Sequence, residues 1–361
     1  MLVKEVLPLA AVHGRTVYDE EKEGLYCNWT YSGFSIGVKG TYLKVLVDAD
    51  SDQIPGMPNM PTPPPDWPCI GAVVNDELIY RHEIHEKEWL TLWSVNECTE
   101  KEIQILKLSE NARGKMVILE IETDGEFCKV ENKRPRLEVV GDSITCGFGN
   151  EAPDNAFEFK TSEENSFIAY GPLAARELGY EISMVCESGI CAVVPEHPMF
   201  PMHAIEDIYE YTDELYAAKY GKEKTKWDFE KHHNDIVVLN LGTNDSNPMR
   251  FYRDFSEVER MEEWFHMRYK ELVKKVRALN GPDTYIICAL GSMDYYLYHH
   301  IRDIVKELKE ETGDEKLCCF EFIPINMMFE GYGAAGHPSA KTHARMGKGL
   351  AYCIRKNVLG E

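Results

Sequence analysis

The 361-residue sequence lacks the features of a membrane-spanning or nucleic-acid-binding protein. No apolar run approaches the roughly 20 residues that a transmembrane helix needs. Positive charge is scarce, because 39 Lys and Arg stand against 61 Asp and Glu and give a formal net charge of −22. Most of this surface would repel a polyanion such as DNA. We therefore expect no membrane and no nucleic-acid partner.

The eleven cysteines lack the regular spacing of a zinc site or a disulfide framework. No pair shows CxxC spacing, and Cys288 lies in an apolar run, where a reduced cysteine packs as a small hydrophobe. Residues 1–13 also lack the apolar segment and cleavage site of a secretion signal. Together these absences predict a protein of the reducing cytoplasm with no metal site.

Residues 1–131 carry a β pattern with little helical periodicity. Short strands are predicted at 33–38, 42–48, 88–93, 102–107 and 116–121. Strands at this spacing, separated by turn signals, indicate a β-sandwich or jelly roll. The proline-rich stretch 55–68 predicts a stiff loop, because proline cannot donate to a sheet. Its Trp67 is expected in a plain surface loop.

Residues 132–361 change to alternating strands and helices. Strands are predicted at 136–140, 181–186, 235–240, 284–288 and 317–323, and amphipathic helices at 258–279 and 340–356. Apolar strands alternating with amphipathic helices indicate a parallel sheet covered on both faces. The predicted fold class is therefore α/β, with a β-sandwich domain (1–131) ahead of a three-layer α/β/α domain (132–361).

Four short blocks follow the strands of the second domain, where open α/β sheets carry functional residues. They contain Ser143, Gly189, Asn244 and His337. A serine becomes an effective nucleophile when an imidazole accepts its proton, and the resulting oxyanion needs preplaced donors. We assign Ser143 as nucleophile and His337 as general base. The backbone N–H groups of Ser143 and Gly189 and the side-chain amide of Asn244 are the candidate oxyanion hole.

These blocks resemble the SGNH, or GDSL-type, hydrolase superfamily. The matching residues are GDSITCG at 141–147, the glycine after Glu187-Ser188, GTND at 242–245 and GHPS at 336–339. Ile and Thr after the nucleophile, and a β domain ahead of the hydrolase domain, are typical of carbohydrate esterase family two. Gly14-Arg15 and the segment 163–167 are similar to it as well.

The resemblance to this family implies a jelly-roll domain followed by a flavodoxin-like SGNH hydrolase domain. It also implies a serine esterase that removes acetyl groups from xylan or acetylated hexose units. No metal or cofactor is implied. The substrate partner would be an acetylated oligosaccharide, and a homo-oligomer is conceivable, since the proline-rich loop and a sheet edge would suit one.

The sequence departs from the superfamily before His337. Most members have an Asp two or three residues ahead of the catalytic His, where this chain has Ala335 and Ala334. We favour a main-chain carbonyl within 334–336 as the group that orients the imidazole. Glu330, the nearest upstream acid, is the alternative third member. His343 is the less favoured alternative base, because it lies inside a predicted helix.

Two other functions stay open at this point. A lipase or lysophospholipase of the same superfamily would use the same residues, and a glycan-binding module with a vestigial site would explain the missing Asp. Trp29, Trp89 and Trp93 are more readily sandwich packing than a sugar platform. The pairs at 232–233 and 299–300, both His-His, lie in charged segments and are expected to be exposed and metal-free.

Overall fold

A computed structural model describes residues 1–52, 64–198 and 202–361. Most of the predicted proline-rich loop lies outside the described residues, and Trp67 is half-buried. The chain forms two compact units. The first comprises Met1–Lys133, Phe159–Phe167 and Thr212–Thr225, and the second Arg134–Glu158, Ile168–Tyr211 and Lys226–Glu361. The predicted domain boundary between residues 131 and 132 states that the two parts fold independently, and it stays a prediction.

The first unit is built on antiparallel strands. Within its described residues, nine strands form one sheet in the order β2-β3-β8-β4-β7-β5-β6, with β1 and β9 also paired to β4. The strands are β1 (Ala11–His13), β2 (Val17–Asp19), β3 (Gly24–Tyr26), β4 (Gly33–Asp50), β5 (Cys69–Val74), β6 (Glu77–Glu83), β7 (Glu88–Lys107), β8 (Lys115–Glu122) and β9 (Glu126–Cys128). The α-helices of this unit are α1 (Val3–Val6) and α5 (Glu214–Tyr220).

Two strands are longer than predicted. The predicted strands at 33–38 and 42–48 are one strand, β4, and those at 88–93 and 102–107 are both parts of β7. The register of β4 against β7 shifts beyond Gly40 and again after Leu43. Such a bulge lets a strand bend without ending, which is why the turn signals misled the prediction. The bent sheet curls over one apolar core, and the predicted β-sandwich class is confirmed.

The core of the first unit follows the period-two alternation of its strands. Phe34 and Ile36 on β4 are both fully buried and point to the same side of the strand. Trp29 is also buried and donates its indole N–H to the carbonyl of Thr212 at 2.8 Å. Trp93 is buried as well, whereas Trp89 stays 44% exposed. Trp29 and Trp93 are therefore packing residues.

The second unit contains a parallel sheet. Its strands, among the residues described, are ordered β11-β10-β12-β13-β14. They are β10 (Arg136–Gly141), β11 (Glu181–Cys186), β12 (Ile236–Asn240), β13 (Tyr285–Leu290) and β14 (Leu317–Glu321). This 2-1-3-4-5 order is the flavodoxin-like one, in which ligands bind beyond the carboxyl ends of the first and third strands. The crevice is therefore expected beyond β10 and β12.

Helices cover both faces of this sheet. They are α2 (Ser143–Cys146), α3 (Tyr170–Leu178), α4 (Ile205–Ile208), α6 (Thr243–Ser246), α7 (Phe255–Asn280), α8 (Tyr298–Thr312), α9 (Met327–Glu330) and α10 (Ala340–Ile354). The predicted helices at 258–279 and 340–356 correspond to α7 and α10. None of the described helices is both long and apolar enough to cross a membrane.

Neighbouring residues of β10 show which helix covers which face. Val139 packs against Gly171 of α3. The Glu138 carboxylate accepts a hydrogen bond from the Tyr209 hydroxyl at 2.7 Å, and that hydroxyl accepts one from Asn280 of α7 at 2.9 Å. Consecutive strand residues point to opposite faces, so α3 and α7 cover opposite sides. The predicted three-layer arrangement is confirmed.

Candidate active site

Ser143 begins the one-turn helix α2 directly after β10. The Asp142 carboxylate caps this turn by accepting a hydrogen bond from the Ile144 backbone N–H at 2.9 Å. Gly141 is required by close approach, because a Cβ there would lie 2.0 Å from the Thr145 hydroxyl oxygen. Burial raises the pKa of the Asp142 carboxyl to about 7. Asp142 therefore braces the turn through this cap.

Ser143 and His337 are in direct contact. The Nε2 atom of His337 lies 2.9 Å from the Ser143 hydroxyl oxygen. Its Nδ1 atom lies 3.1 Å from the carbonyl oxygen of Ala334. A carbonyl only accepts hydrogen bonds, so Nδ1 carries the ring proton and Nε2 presents its lone pair to the hydroxyl. This is the tautomer that a general base needs.

The loop that carries His337 is held by the segment after the nucleophile. The Ala334 N–H donates to the carbonyl of Gly149 at 3.0 Å, and the Ala335 N–H donates to the carbonyl of Ala156 at 2.8 Å. A Cβ on Gly149 would lie 2.3 Å from the Ala334 side chain, and the φ of Gly149 is +54°. Only glycine permits this approach. The glycine after Phe148 therefore positions the histidine.

Glu330 faces a different partner. Its carboxylate accepts hydrogen bonds from Arg345 at 2.8 Å and from the Thr342 hydroxyl at 3.1 Å. The hydrogen bond from Arg345 lowers the pKa of Glu330 to about 2. Of the two alternatives for orienting His337, the carbonyl of Ala334 is the group that lies at Nδ1. The Glu330 carboxylate is instead hydrogen-bonded to side chains of α10.

His343, the alternative base, lies inside α10 and is fully buried. Its Nδ1 accepts a hydrogen bond from the Tyr170 backbone N–H at 3.2 Å, and the two rings are stacked with 6.2 Å between centroids. Burial lowers the pKa of His343 to about 3. A buried neutral imidazole of this kind packs the interface between α3 and α10.

The loops that carry the candidate oxyanion donors begin at the same edge of the sheet. Gly141, at the end of β10, is in register with Cys186 of β11 and with Asn240 of β12. Neighbouring strands lie about 4.8 Å apart, so the loops after these residues emerge side by side. Gly189 has φ +82°, a conformation that favours glycine. The N–H of Ser143 lies in the first turn of α2, where backbone donors have no partner within the helix.

Asn244 is tied to the loop that follows β11. Its side-chain amide donates to the carbonyl of Ile190 at 2.9 Å, one residue beyond Gly189. An amide has two N–H donors, so the second remains for another acceptor. The structure thus joins Asn244 to the Gly189 loop and Ser143 to His337 by direct hydrogen bonds.

Two further residues at the site, Asp245 and Phe148, had no role predicted from the sequence. The Asp245 carboxylate accepts hydrogen bonds from the backbone N–H groups of Ala192 at 2.9 Å and Val193 at 3.2 Å, and burial raises its pKa to about 7. It therefore locks the turn that bears Asn244. The Phe148 ring packs on the His337 ring with 4.4 Å between centroids. The sequence signal for Asp245 was its place as the last residue of the GTND block.

Comparison with known proteins identifies the family of this chain. The sequence model of the family described as GDSL-like Lipase/Acylhydrolase matches residues 137–350. The chain belongs to this family. The matched region contains Ser143, Gly189, Asn244 and His337.

Two curated relatives of this GDSL-family chain are named for esterase activity. Cellulase/esterase CelE of Acetivibrio thermocellus is 28% identical over 350 residues, covering 94% of this chain and 38% of the relative. An acetylxylan esterase / glucomannan deacetylase of Cellvibrio japonicus is 23% identical over 218 residues, covering 57% of each. The chain thus spans less than two thirds of the length of these relatives.

Solved structures share both units of this GDSL-family chain. A family two carbohydrate esterase from Clostridium thermocellum in complex with cellohexaose has a TM-score of 0.81 and 26% identity, covering 97% of this chain and 99% of the other. An acetyl xylan esterase from Butyrivibrio proteoclasticus has a TM-score of 0.86 and 21% identity, covering 100% and 98%. The latter likeness is one of fold.

Proposed function

We propose that this chain is a serine esterase that removes acetyl groups from xylo-oligosaccharides or other acetylated carbohydrate. The observation that carries the proposal is the 2.9 Å hydrogen bond between Ser143 and His337 in a GDSL-family chain. The acetylated-carbohydrate substrate is supported by the similarity to a family two carbohydrate esterase over 97% of the chain.

Acylation begins when His337 Nε2 accepts the hydroxyl proton of Ser143. The serine oxygen forms a bond to the acetyl carbonyl carbon, and the carbonyl electrons move onto oxygen. The N–H groups of Ser143 and Gly189 and the amide of Asn244 stabilise this oxyanion. The bond to the sugar oxygen then breaks, the sugar takes the proton from His337, and acetyl-Ser143 remains.

Deacylation repeats these steps with water. His337 accepts a proton from water as the water oxygen attacks the acetyl carbon. The second tetrahedral intermediate collapses, Ser143 regains its proton from His337, and acetic acid leaves and ionises to acetate. In both halves the Ala334 carbonyl holds the Nδ1–H of the imidazolium. A carbonyl contributes only a partial charge, so it stabilises the imidazolium less than a carboxylate would.

The test is acetate release from acetylated xylo-oligosaccharide, measured beside p-nitrophenyl acetate and a long-chain ester. We expect acetate release by the native chain, loss of it in Ser143→Ala, and retention in Ser94→Ala, an exposed serine of the first unit. Activity confined to the long-chain ester would assign a lipase or lysophospholipase instead. Sugar binding without hydrolysis of any ester would assign a glycan-binding module.

We also propose a reducing compartment, the cytoplasm, as the place of action. None of the eleven cysteines, all of which lie among the described residues, forms a disulfide. The net charge of −22 supports the absence of a nucleic-acid partner. A homo-oligomer remains part of the proposal, and light scattering of the purified chain tests it by the mass in solution.

A further inference from the structure

Two histidines from adjacent helices face each other outside the candidate active site. The Nδ1 atom of His266 on α7 lies 3.2 Å from the Nδ1 atom of His300 on α8. Their side chains are 25% and 17% exposed, so solvent reaches both rings. From the sequence, His300 was predicted to be exposed, and the structure instead places it half-buried between two helices.

Each ring has a carboxylate on its other nitrogen. His266 Nε2 lies 3.2 Å from a carboxylate oxygen of Glu307, and His300 Nε2 lies 3.8 Å from a carboxylate oxygen of Glu262. Metal-binding histidines characteristically direct one nitrogen at the ion and the other at a carboxylate or carbonyl, which fixes the ring and raises its basicity. His266 has this arrangement, whereas His300 Nε2 lies too far from Glu262 for a hydrogen bond.

We propose that His266 and His300 bind one divalent transition-metal ion through their Nδ1 atoms. Metal–nitrogen bonds of about 2.0–2.1 Å at tetrahedral angles separate two ligand nitrogens by about 3.3 Å. The observed 3.2 Å is close to this value. Imidazole ligands favour Zn²⁺, Cu²⁺ and Ni²⁺ over the hard cations Mg²⁺ and Ca²⁺.

The surrounding charges favour a cation at this position. Glu262 and Glu307 place two carboxylates near the outer nitrogens of the rings, and the ammonium of Lys270, 2.8 Å from Glu307, offsets one of the two negative charges.

Among the residues that the structure describes, two protein ligands converge on the site, so water would complete the coordination. Binding is therefore weaker than at a structural zinc site with four protein ligands. The arrangement without metal is a hydrogen bond in which one Nδ1–H donates to the other Nδ1. A bound ion replaces that proton and links α7 to α8.

Calorimetric titration with Ni²⁺ at neutral pH tests the site. Ni²⁺ is a sharper probe than Zn²⁺, because the exposed Cys98 thiol competes for zinc. We expect one saturable site and a Tm that rises with Ni²⁺ concentration. His266→Gln and His300→Gln should each weaken binding at least about tenfold, and the double variant should abolish it.

Two further variants make the result decisive. Glu307→Gln keeps both ligating rings and should weaken Ni²⁺ binding by about 10–100-fold through loss of ring orientation. His85→Gln removes an exposed histidine that pairs with Glu83 at 3.2 Å and should leave the titration unchanged. Absence of a saturable site in the native chain, or undiminished binding in the double variant, overturns the proposal.

Discussion

The Nδ1 atom of His337 lies 3.1 Å from the carbonyl oxygen of Ala334, at the position where most of the superfamily has a carboxylate partner. The main chain therefore sets the tautomer of the imidazole. Because this oxygen belongs to a loop, its position depends on how that loop is held. The contacts of the loop with Gly149 and Ala156 consequently become part of the catalytic geometry.

The dyad should behave as one unit. Ser143→Ala and His337→Ala should each lower kcat for acetate release by at least about 10³-fold, because each removes an essential partner of the same proton transfer. The double variant should fall little further than the worse single variant. Additive losses in the double variant, measured by steady-state kinetics on folded protein, would show that the two side chains act separately.

Gly149→Ala should displace the His337 loop. The added methyl would lie 2.3 Å from the Ala334 side chain, and a shift of about 1 Å at the base costs on the order of 10²-fold in rate. Gly179→Ala is the matched control, since it also has positive φ but meets no atom within 4 Å. Both variants should lose about 1–2 kcal/mol of stability through the left-handed conformation. Equal kcat in the two variants would contradict the positioning role.

Asn244 should contribute through the transition state. Asn244→Ala should lower kcat by about 10²–10³-fold with little change in KM, the effect of losing one oxyanion donor. Asn244→Asp should be at least as damaging, because a carboxylate repels the oxyanion. Asn96→Ala, at an exposed asparagine of the first unit, serves as the control and should retain activity. A rise in KM alone would assign Asn244 to ground-state binding.

Glu330 should affect stability and not the pH profile of catalysis. Its pKa of about 2 lies below the value of about 4.5 expected in the unfolded chain, so its stabilisation is present above pH 4.5 and is lost as pH falls towards 2. Glu330→Gln should cost about 1.5–3 kcal/mol near neutral pH, the range for hydrogen bonds to charged groups.

Urea denaturation at several pH values checks the Glu330 prediction. The stability difference between native chain and Glu330→Gln should shrink as pH falls below 4.5. Glu315→Gln, whose side chain is 82% exposed, should show no such difference. A shifted pH–kcat profile in Glu330→Gln would instead restore Glu330 as the partner of His337.

Lys107 should be essential to the first unit. Its fully buried ammonium group donates to the carbonyls of Asn28 at 2.9 Å, Glu110 at 2.7 Å and Gly114 at 2.6 Å. Lys107→Met leaves three buried acceptors without their donor, at about 1–3 kcal/mol each. We expect a large fall in Tm, whereas Lys39→Met, which breaks an exposed ion pair with Glu126, should leave Tm nearly unchanged.

Much of the architecture was predictable because it follows from periodicity. The amphipathic pattern identified α7, and only its ends differed, whereas the alternating residues of β4 predicted two strands where the structure has one. The bulges in β4 and β7 were not predictable from residue type, because the same glycine and polar residues that end a strand also bend one. The contact between His266 and His300 depends on how α7 and α8 pack, which no local sequence pattern predicts.

The sequence by itself determined where Ser143, Gly189, Asn244 and His337 stand, because each follows a strand and the carboxyl ends of parallel strands meet at one edge of a sheet. Only the tertiary structure decided what orients the imidazole. Ala334 and Glu330 are both near His337 in sequence, but docking of the loop on Gly149 brings the Ala334 carbonyl to Nδ1, and the charge of Arg345 holds Glu330 elsewhere. That choice depends on contacts between residues far apart in the sequence, which local sequence patterns do not reveal.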